Sequence, residues 1–253
     1  MASDRYQELR SRIDKMREHL LSAVEISETG SYEDADKVAI LSLSFRVLAH
    51  AEIESYLEDR VVGIAKAALA SWKSSNHISR PLLYLLAFSG NHMKKPPESL
   101  EAPSDNKRKE WPSLLDPSDR LNDAVTAFVR AAQLENHGVR EANLLSLLLP
   151  VGLDPSLLDP VLLTDFDSFG RRRGEAAHKS TTTHVRKELN PADEEKYVDN
   201  LLVGILPLDE ALDSLLEGAS IGHDTATIVH DTQPDAEADG LMQKMMQMLR
   251  RKG

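Results

Sequence analysis

"KVAILSLSFRVLAHAEIESYLEDRVVGIAKAALASW", residues 37–72, decides the fold class. Its apolar residues return every three or four positions, and no proline interrupts the run. That period belongs to an amphipathic helix, since a half-buried strand would alternate every second residue. The only glycine, Gly63, marks the point where the helix would kink if it did not continue to Trp72. A helix of that length spans roughly 50 Å, so the other elements must pack along it as the members of a bundle.

The segments on either side read the same way. Upstream, a first helix is expected from about Ser3 to Glu28, with Tyr6, Leu9, Ile13, Met16, Leu20 and Val24 on one stripe, before "ETGSYED" breaks it. Downstream, Pro81 opens a short apolar helix, "PLLYLLAFS", and a stretch at about 90–117, rich in Pro, Ser, Lys and Asp, reads as an insertion loop. A further helix is expected from Ser118 as N-cap to about Glu135, and "VREANLLSLLLP" gives a short one. "NPADEEKYVDNLLVGILPLDEALDSLLEG" supplies the last long helix, capped by Asn190, with Pro191 in its first turn and a kink expected at Pro207.

Alternating runs rich in Val, Ile and Thr are nearly absent, so the chain reads as all-α: an up-and-down helical bundle with an insertion loop and a C-terminal extension. The bundle occupies 1–218, with its core at 36–218. Residues 219–239 lack helical periodicity and read as a linker. Residues 240–253 read as an amphipathic C-terminal helix with Met242, Met245, Met246 and Leu249 on one side, suited to a partner or to the bundle itself.

Composition narrows the function. At 253 residues and 41% hydrophobic content the chain buries a real core. No apolar run reaches the roughly 18 residues of a membrane span, and the charged, periodic N-terminus is unlike a signal peptide, so a cytoplasmic protein with no membrane partner is expected. With no cysteine there is no disulfide or thiolate metal site, and the nine histidines show no zinc-protease spacing, so neither metal nor cofactor is expected. A net charge of −11 excludes a general nucleic-acid coating protein and confines any RNA contact to a local cationic patch. The absence of a glycine-rich phosphate loop argues against a nucleotide-hydrolysing domain.

One such patch exists. "FGRRRGEAAHKS", residues 169–180, holds Arg171, Arg172, Arg173 and His178, and each arginine precedes the histidine by four to six intervening residues. On a continuous helix, at roughly 100° per residue, Arg171 and His178 share a face, whereas positions 173 and 178 lie roughly 140° apart. Cooperation between Arg173 and His178 would therefore require a distortion near Gly174 or a second copy of the chain. Gly170, Gly174 and Ala177 form a small-residue stripe that would admit a neighbouring helix. An imidazole that exchanges a proton near neutrality, beside guanidiniums that stabilise a phosphorane-like transition state, is what RNA cleavage through the ribose 2′-hydroxyl requires. In the bland reading, the arginines form a solvated face paired with Asp165, Asp167 and Glu175.

"RRRGEAAHKS", preceded by an apolar helix and followed by a long one, resembles the Arg-X4-6-His signature of the ribonuclease branch of HEPN domains (higher eukaryotes and prokaryotes nucleotide-binding). "LAHAEIESYLEDRVVGIAKAAL" is similar to the early long helix of the RiboL-PSP-HEPN type, and the similar regions span roughly 36–218. The resemblance implies a homodimeric all-α bundle with a composite, metal-independent endoribonuclease site, of a kind found in toxin–antitoxin and antiviral defence systems. It further implies RNA as substrate and an antitoxin or other regulatory protein as partner. His178 would be the general acid or base and Arg173 the phosphate-stabilising group. Gly174 stands where the family has a polar residue, which keeps Arg172 and Arg171 as alternates. Glu54, or less well Glu52, would orient the arginine. Arg171, Arg172, Lys179 and Ser180 would contact the RNA backbone, as would Lys94, Lys95, Lys107, Arg108 and Lys109 of the insertion loop. Two readings from other classes stand beside this one: a non-catalytic helical module that binds a partner protein or nucleotide through the same basic patch, and a structural helical protein working through its Met-rich C-terminal segment.

Overall fold

The computed structural model describes residues 2–22, 34–90, 116–178 and 190–220, with main chain only at 175–178, and all of them belong to one unit, Met1–His223. In chain order the elements are α1 (Asp4–Leu20), α2 (Ala35–Ser75), α3 (Arg80–Phe88), α4 (Ser118–Arg130), a single π turn (Ala131–Glu135), α5 (Glu141–Leu148), a 3-10 turn (Pro155–Leu157), α6 (Pro160–His178) and α7 (Pro191–Ser220). No strand occurs among the described residues, and the helices form an up-and-down bundle.

α2 is its axis: 41 residues without a break, packed on α1, α3, α4, α5, α6 and α7. Helix persists through Gly63, where an added Cβ would meet nothing within 4 Å. It stops at Asn76, which adopts the left-handed conformation (φ 56°) and returns its N–H to the Trp72 carbonyl at 2.8 Å. Phe45, Ala49, Ile53, Leu57, Ile64 and Ala68 of α2 are fully buried. Against them pack Tyr6, Leu9 and Ile13 of α1, and Val198, Leu201, Ile205 and Leu212 of α7.

Boundaries differ locally from expectation. α1 closes at Leu20, short of Glu28, and residues 23–33 lie outside the described residues. α4 takes Pro117 as its N-cap position. Ser118 is its first helical residue, its N–H held by Asp116 at 2.8 Å and its hydroxyl accepting the Trp72 indole N–H at 3.1 Å. α7 opens on Asn190, whose side chain accepts the Ala192 N–H at 3.0 Å, and it runs on through Pro207 to Ser220. The donor that Pro207 lacks would have bonded the carbonyl of Val203, an exposed position where water can replace it, so the helix is not ended there. The rest of the expected linker, the C-terminal helix 240–253 and most of the insertion loop lie outside the described residues.

At one end of the bundle, Asp209 of α7 is fully buried and accepts the Ser3 N–H and hydroxyl and the Tyr56 hydroxyl, each at 2.7 Å, while Arg60 spans from the Asp209 carbonyl to the Asp213 carboxylate. This joins the N-cap of α1 to α2 and α7. Burial and the adjoining Asp209 carboxylate push the Tyr56 phenol well above its ordinary range.

Candidate functional site

α6 carries the arginine run across the far part of the bundle, and it stays helical through Gly174 to His178. Positions 173 and 178 therefore keep the roughly 140° separation of a regular helix. An added Cβ at Gly174 would meet nothing within 4 Å of it, whereas the face at Gly170 is covered by the Arg140 stem, 2.6 Å from such a Cβ.

The three arginines have different fates. Arg171 is exposed and pairs along its own helix with Asp167 at 3.2 Å, the same carboxylate that Arg140 holds at 2.9 Å. Those two guanidiniums, Arg140 first, lower the Asp167 pKa. Arg172 is drawn inward: it meets Glu194 of α7 at 2.6 Å and lies over the Tyr197 ring at 4.0 Å. Glu194 is itself buried and bound by a second guanidinium, Arg46 of α2, whose Nε donates to Oε2 at 2.7 Å and whose Nη2 donates to Oε1. Arg46 also donates to the Arg172 carbonyl at 3.3 Å, so α2, α6 and α7 meet on one carboxylate.

Arg173 is half-buried and makes no ion pair with a described residue. Its charge acts on two groups of α2, His50 and Glu54. His50 is buried and stacks on Phe169 of α6, with ring centroids 5.6 Å apart and planes at 27°. Its Nδ1 lies 3.5 Å from the Glu54 carboxylate. Burial, with the Arg173 charge adding to it, lowers the His50 pKa to about 4, so the ring is neutral at physiological pH. Glu54 is pushed the other way, raised by burial and by the neighbouring Glu58 against the opposing charge of Arg173, the Gly138 N–H and His137. Glu52 faces elsewhere, pairing with Arg12 of α1 at 3.0 Å.

A loop completes this face. Asn136, after the π turn, donates to Glu58 at 2.7 Å and accepts from Asn143 of α5 at 3.0 Å. The structure thus gathers Arg173 and Glu54 of the residues singled out from sequence, and adds His50, Glu58, Asn136 and His137. It gives Arg172 a fixed internal partner and Arg171 an exposed one. The side chain of His178 and the whole of Lys179, Ser180, Lys94, Lys95, Lys107, Arg108 and Lys109 lie outside the described residues. Among the described residues no group of three His, Asp or Glu is placed to hold a metal ion, and no helix is long and apolar enough to cross a membrane.

His50 gives the site a pH signature. Its pKa is lower folded than unfolded, so between about pH 4 and the ordinary imidazole value of 6.5 the unfolded chain binds more protons. Stability contributed by neutral His50 is complete above that window and is lost as pH falls through it. The loss is at most about 3 kcal/mol, from 1.36 kcal/mol per pKa unit. Glu54, protonated earlier in the folded state, subtracts from the loss at the lower end. Urea unfolding at pH 7 and pH 5 should show this fall in the wild type and a smaller one in His50→Gln; equal falls would contradict the assignment.

Comparison with known proteins finds no matching family model, no matching curated protein and no matching solved structure.

Proposed function

We propose that the protein is a metal-independent endoribonuclease of the HEPN type, a homodimer acting as a toxin or defence effector, with Arg173 and His178 as catalytic residues. The observation that carries this is the division of labour in the arginine run. Two members are engaged in ion pairs, and Arg173, the one aligned with the signature, makes no ion pair with a described residue. A guanidinium whose charge reaches the fold's main helix, with no ion pair among the described residues, can take a phosphate. Glu54, 18% exposed in its side chain, feels the Arg173 charge, and the resemblance implies that it orients the arginine.

The regular course of α6 supports a homodimer. With α6 helical through Gly174, one chain presents positions 173 and 178 on different sides, so a composite site draws them from two copies. The outer face of α2 offers a contact surface: Ile40, Val47 and Leu48 are exposed apolar residues on one stripe that runs on to Glu54 and Glu58.

Cleavage needs no metal in this scheme. The 2′-hydroxyl loses its proton to a base, its oxygen attacks the phosphorus, and the P–O5′ bond breaks. The products are a 2′,3′-cyclic phosphate and a 5′-hydroxyl. Incubation with total RNA in EDTA should yield fragments with those ends, and intact RNA would overturn the reading. A second reading, a non-catalytic module that recognises a partner through this patch, draws on the net charge of −11 and on the internal capture of Arg172. Intact RNA together with recovery of a bound partner would establish it instead.

A further inference from the structure

We propose that Tyr197, backed by Arg172, is a stacking platform for a nucleobase of the RNA, a purine by preference, next to the phosphate that Arg173 takes; this rests on the ribonuclease reading above. The Arg172 guanidinium lies over the Tyr197 ring, 4.0 Å from its centroid, and covers one face of it. That guanidinium is fixed: Glu194 holds it at 2.6 Å, and Arg46 donates to the Arg172 carbonyl at 3.3 Å. Tyr197 nevertheless stays 40% exposed, so what meets solvent is the other side of the ring and its hydroxyl edge. The junction of α2, α6 and α7 does not depend on the ring, since Glu194 binds both Arg46 and Arg172, and Val198 and Leu201 of α7 fill the core beside it. What remains is a flat aromatic surface, set in place by a cation behind it and open in front.

Every nucleobase presents a π face, and stacking on an aromatic side chain adds affinity for single strands. Arg172 and Arg173 are consecutive on α6, with Cα atoms about 3.8 Å apart. A phosphate on Arg173 and a base on Tyr197 are thus separated by no more than two extended arginine side chains, a span that a short single strand bridges. Arg172 also sets the preference. Its charge draws the ring electrons toward the covered face, which leaves the open face less negative than that of an isolated phenol. Such a face stacks best on a large, electron-rich ring, and purines are larger than pyrimidines. Tyr197 therefore takes no part in bond breaking; it positions the strand and biases which nucleotide is presented.

The test measures binding by the full chain, separately from cleavage, with a hexamer of adenosine and a hexamer of uridine whose riboses are all 2′-O-methylated and cannot be cut. Wild type should bind the adenosine hexamer more tightly. Tyr197→Ala should weaken the adenosine hexamer about tenfold and the uridine hexamer about threefold or less, which brings the two affinities together. Tyr197→Phe keeps the ring and its contact with Arg172, and should stay within about twofold of wild type on both. Because Tyr197 is exposed, the alanine variant should retain the wild-type helical circular dichroism. Should it unfold, Tyr197→Leu, which keeps apolar bulk without a π face, should show the same selective loss. Equal losses on the two hexamers, the mark of a merely structural ring, would overturn the inference, as would no loss on either or a wild type that binds neither. None of these outcomes touches the ribonuclease reading, which falls only if the wild type leaves total RNA intact in EDTA.

Discussion

Replacing Glu194 by alanine is expected to cost about 3–5 kcal/mol of folding stability, the magnitude found when one member of a buried ion pair is removed and the other is left without compensation. The geometry makes the loss severe. Arg46 is buried to within 7% of its side-chain area and spends two of its donors on Glu194, while Arg172 spends a third contact on the same carboxylate. Without Glu194 a guanidinium is left inside the bundle with only the Arg172 carbonyl as a described acceptor, at 3.3 Å. Arg172→Ala should cost only about 1 kcal/mol, because Arg46 keeps its bidentate pair and an exposed-side hydrogen bond and ring contact are what disappear. Guanidinium chloride denaturation of the two variants with unchanged m values would check the ordering. A Glu194→Ala protein within 1 kcal/mol of wild type would show that the three-helix junction is not a stabilising pair.

That junction was legible in the sequence. Glu194 lies four, seven and eleven residues before Val198, Leu201 and Ile205, all buried, so an acid occupies the apolar stripe of α7. Its place in the first turn masks it, since an acid near the positive end of a helix is favourable on other grounds. Arg46, His50 and Arg60 likewise fall on the buried stripe of α2, at spacings of three, four and seven from Ala49, Ile53, Leu57 and Ile64. Charged residues at core positions must be paired, so Arg46 and Arg60 each announce a partner on another helix. Periodicity placed the long helices correctly because each buries one stripe against α2, and it blurred their ends, which depend on local caps such as Asp116 and Asn76. The Asn136–Val139 loop could not be read in this way. Its contacts with Glu54 and Glu58 join residues far apart in the chain, and no local pattern encodes them.

Arg173→Ala and His178→Ala should each lower RNA cleavage by about 10²–10⁴-fold, the range for a lost charge stabiliser or proton-transfer group, and neither should change the denaturation midpoint appreciably. Arg171→Ala, which releases only an exposed pair on its own helix, should cut RNA within about twofold of wild type. Mixing the two inactive proteins adds a sharper expectation. If the site draws Arg173 from one copy and His178 from the other, random pairing makes half of the dimers mixed, and each of these keeps one intact site of two. Activity should then return to about a quarter of the wild-type value, after unfolding and refolding together to exchange subunits. A site built within one chain gives no intact pair in any combination, and the mixture stays inactive. Since α6 holds positions 173 and 178 roughly 140° apart, the complementation result is the expected one. An inactive mixture of two variants that each fold and dimerise would overturn the composite site.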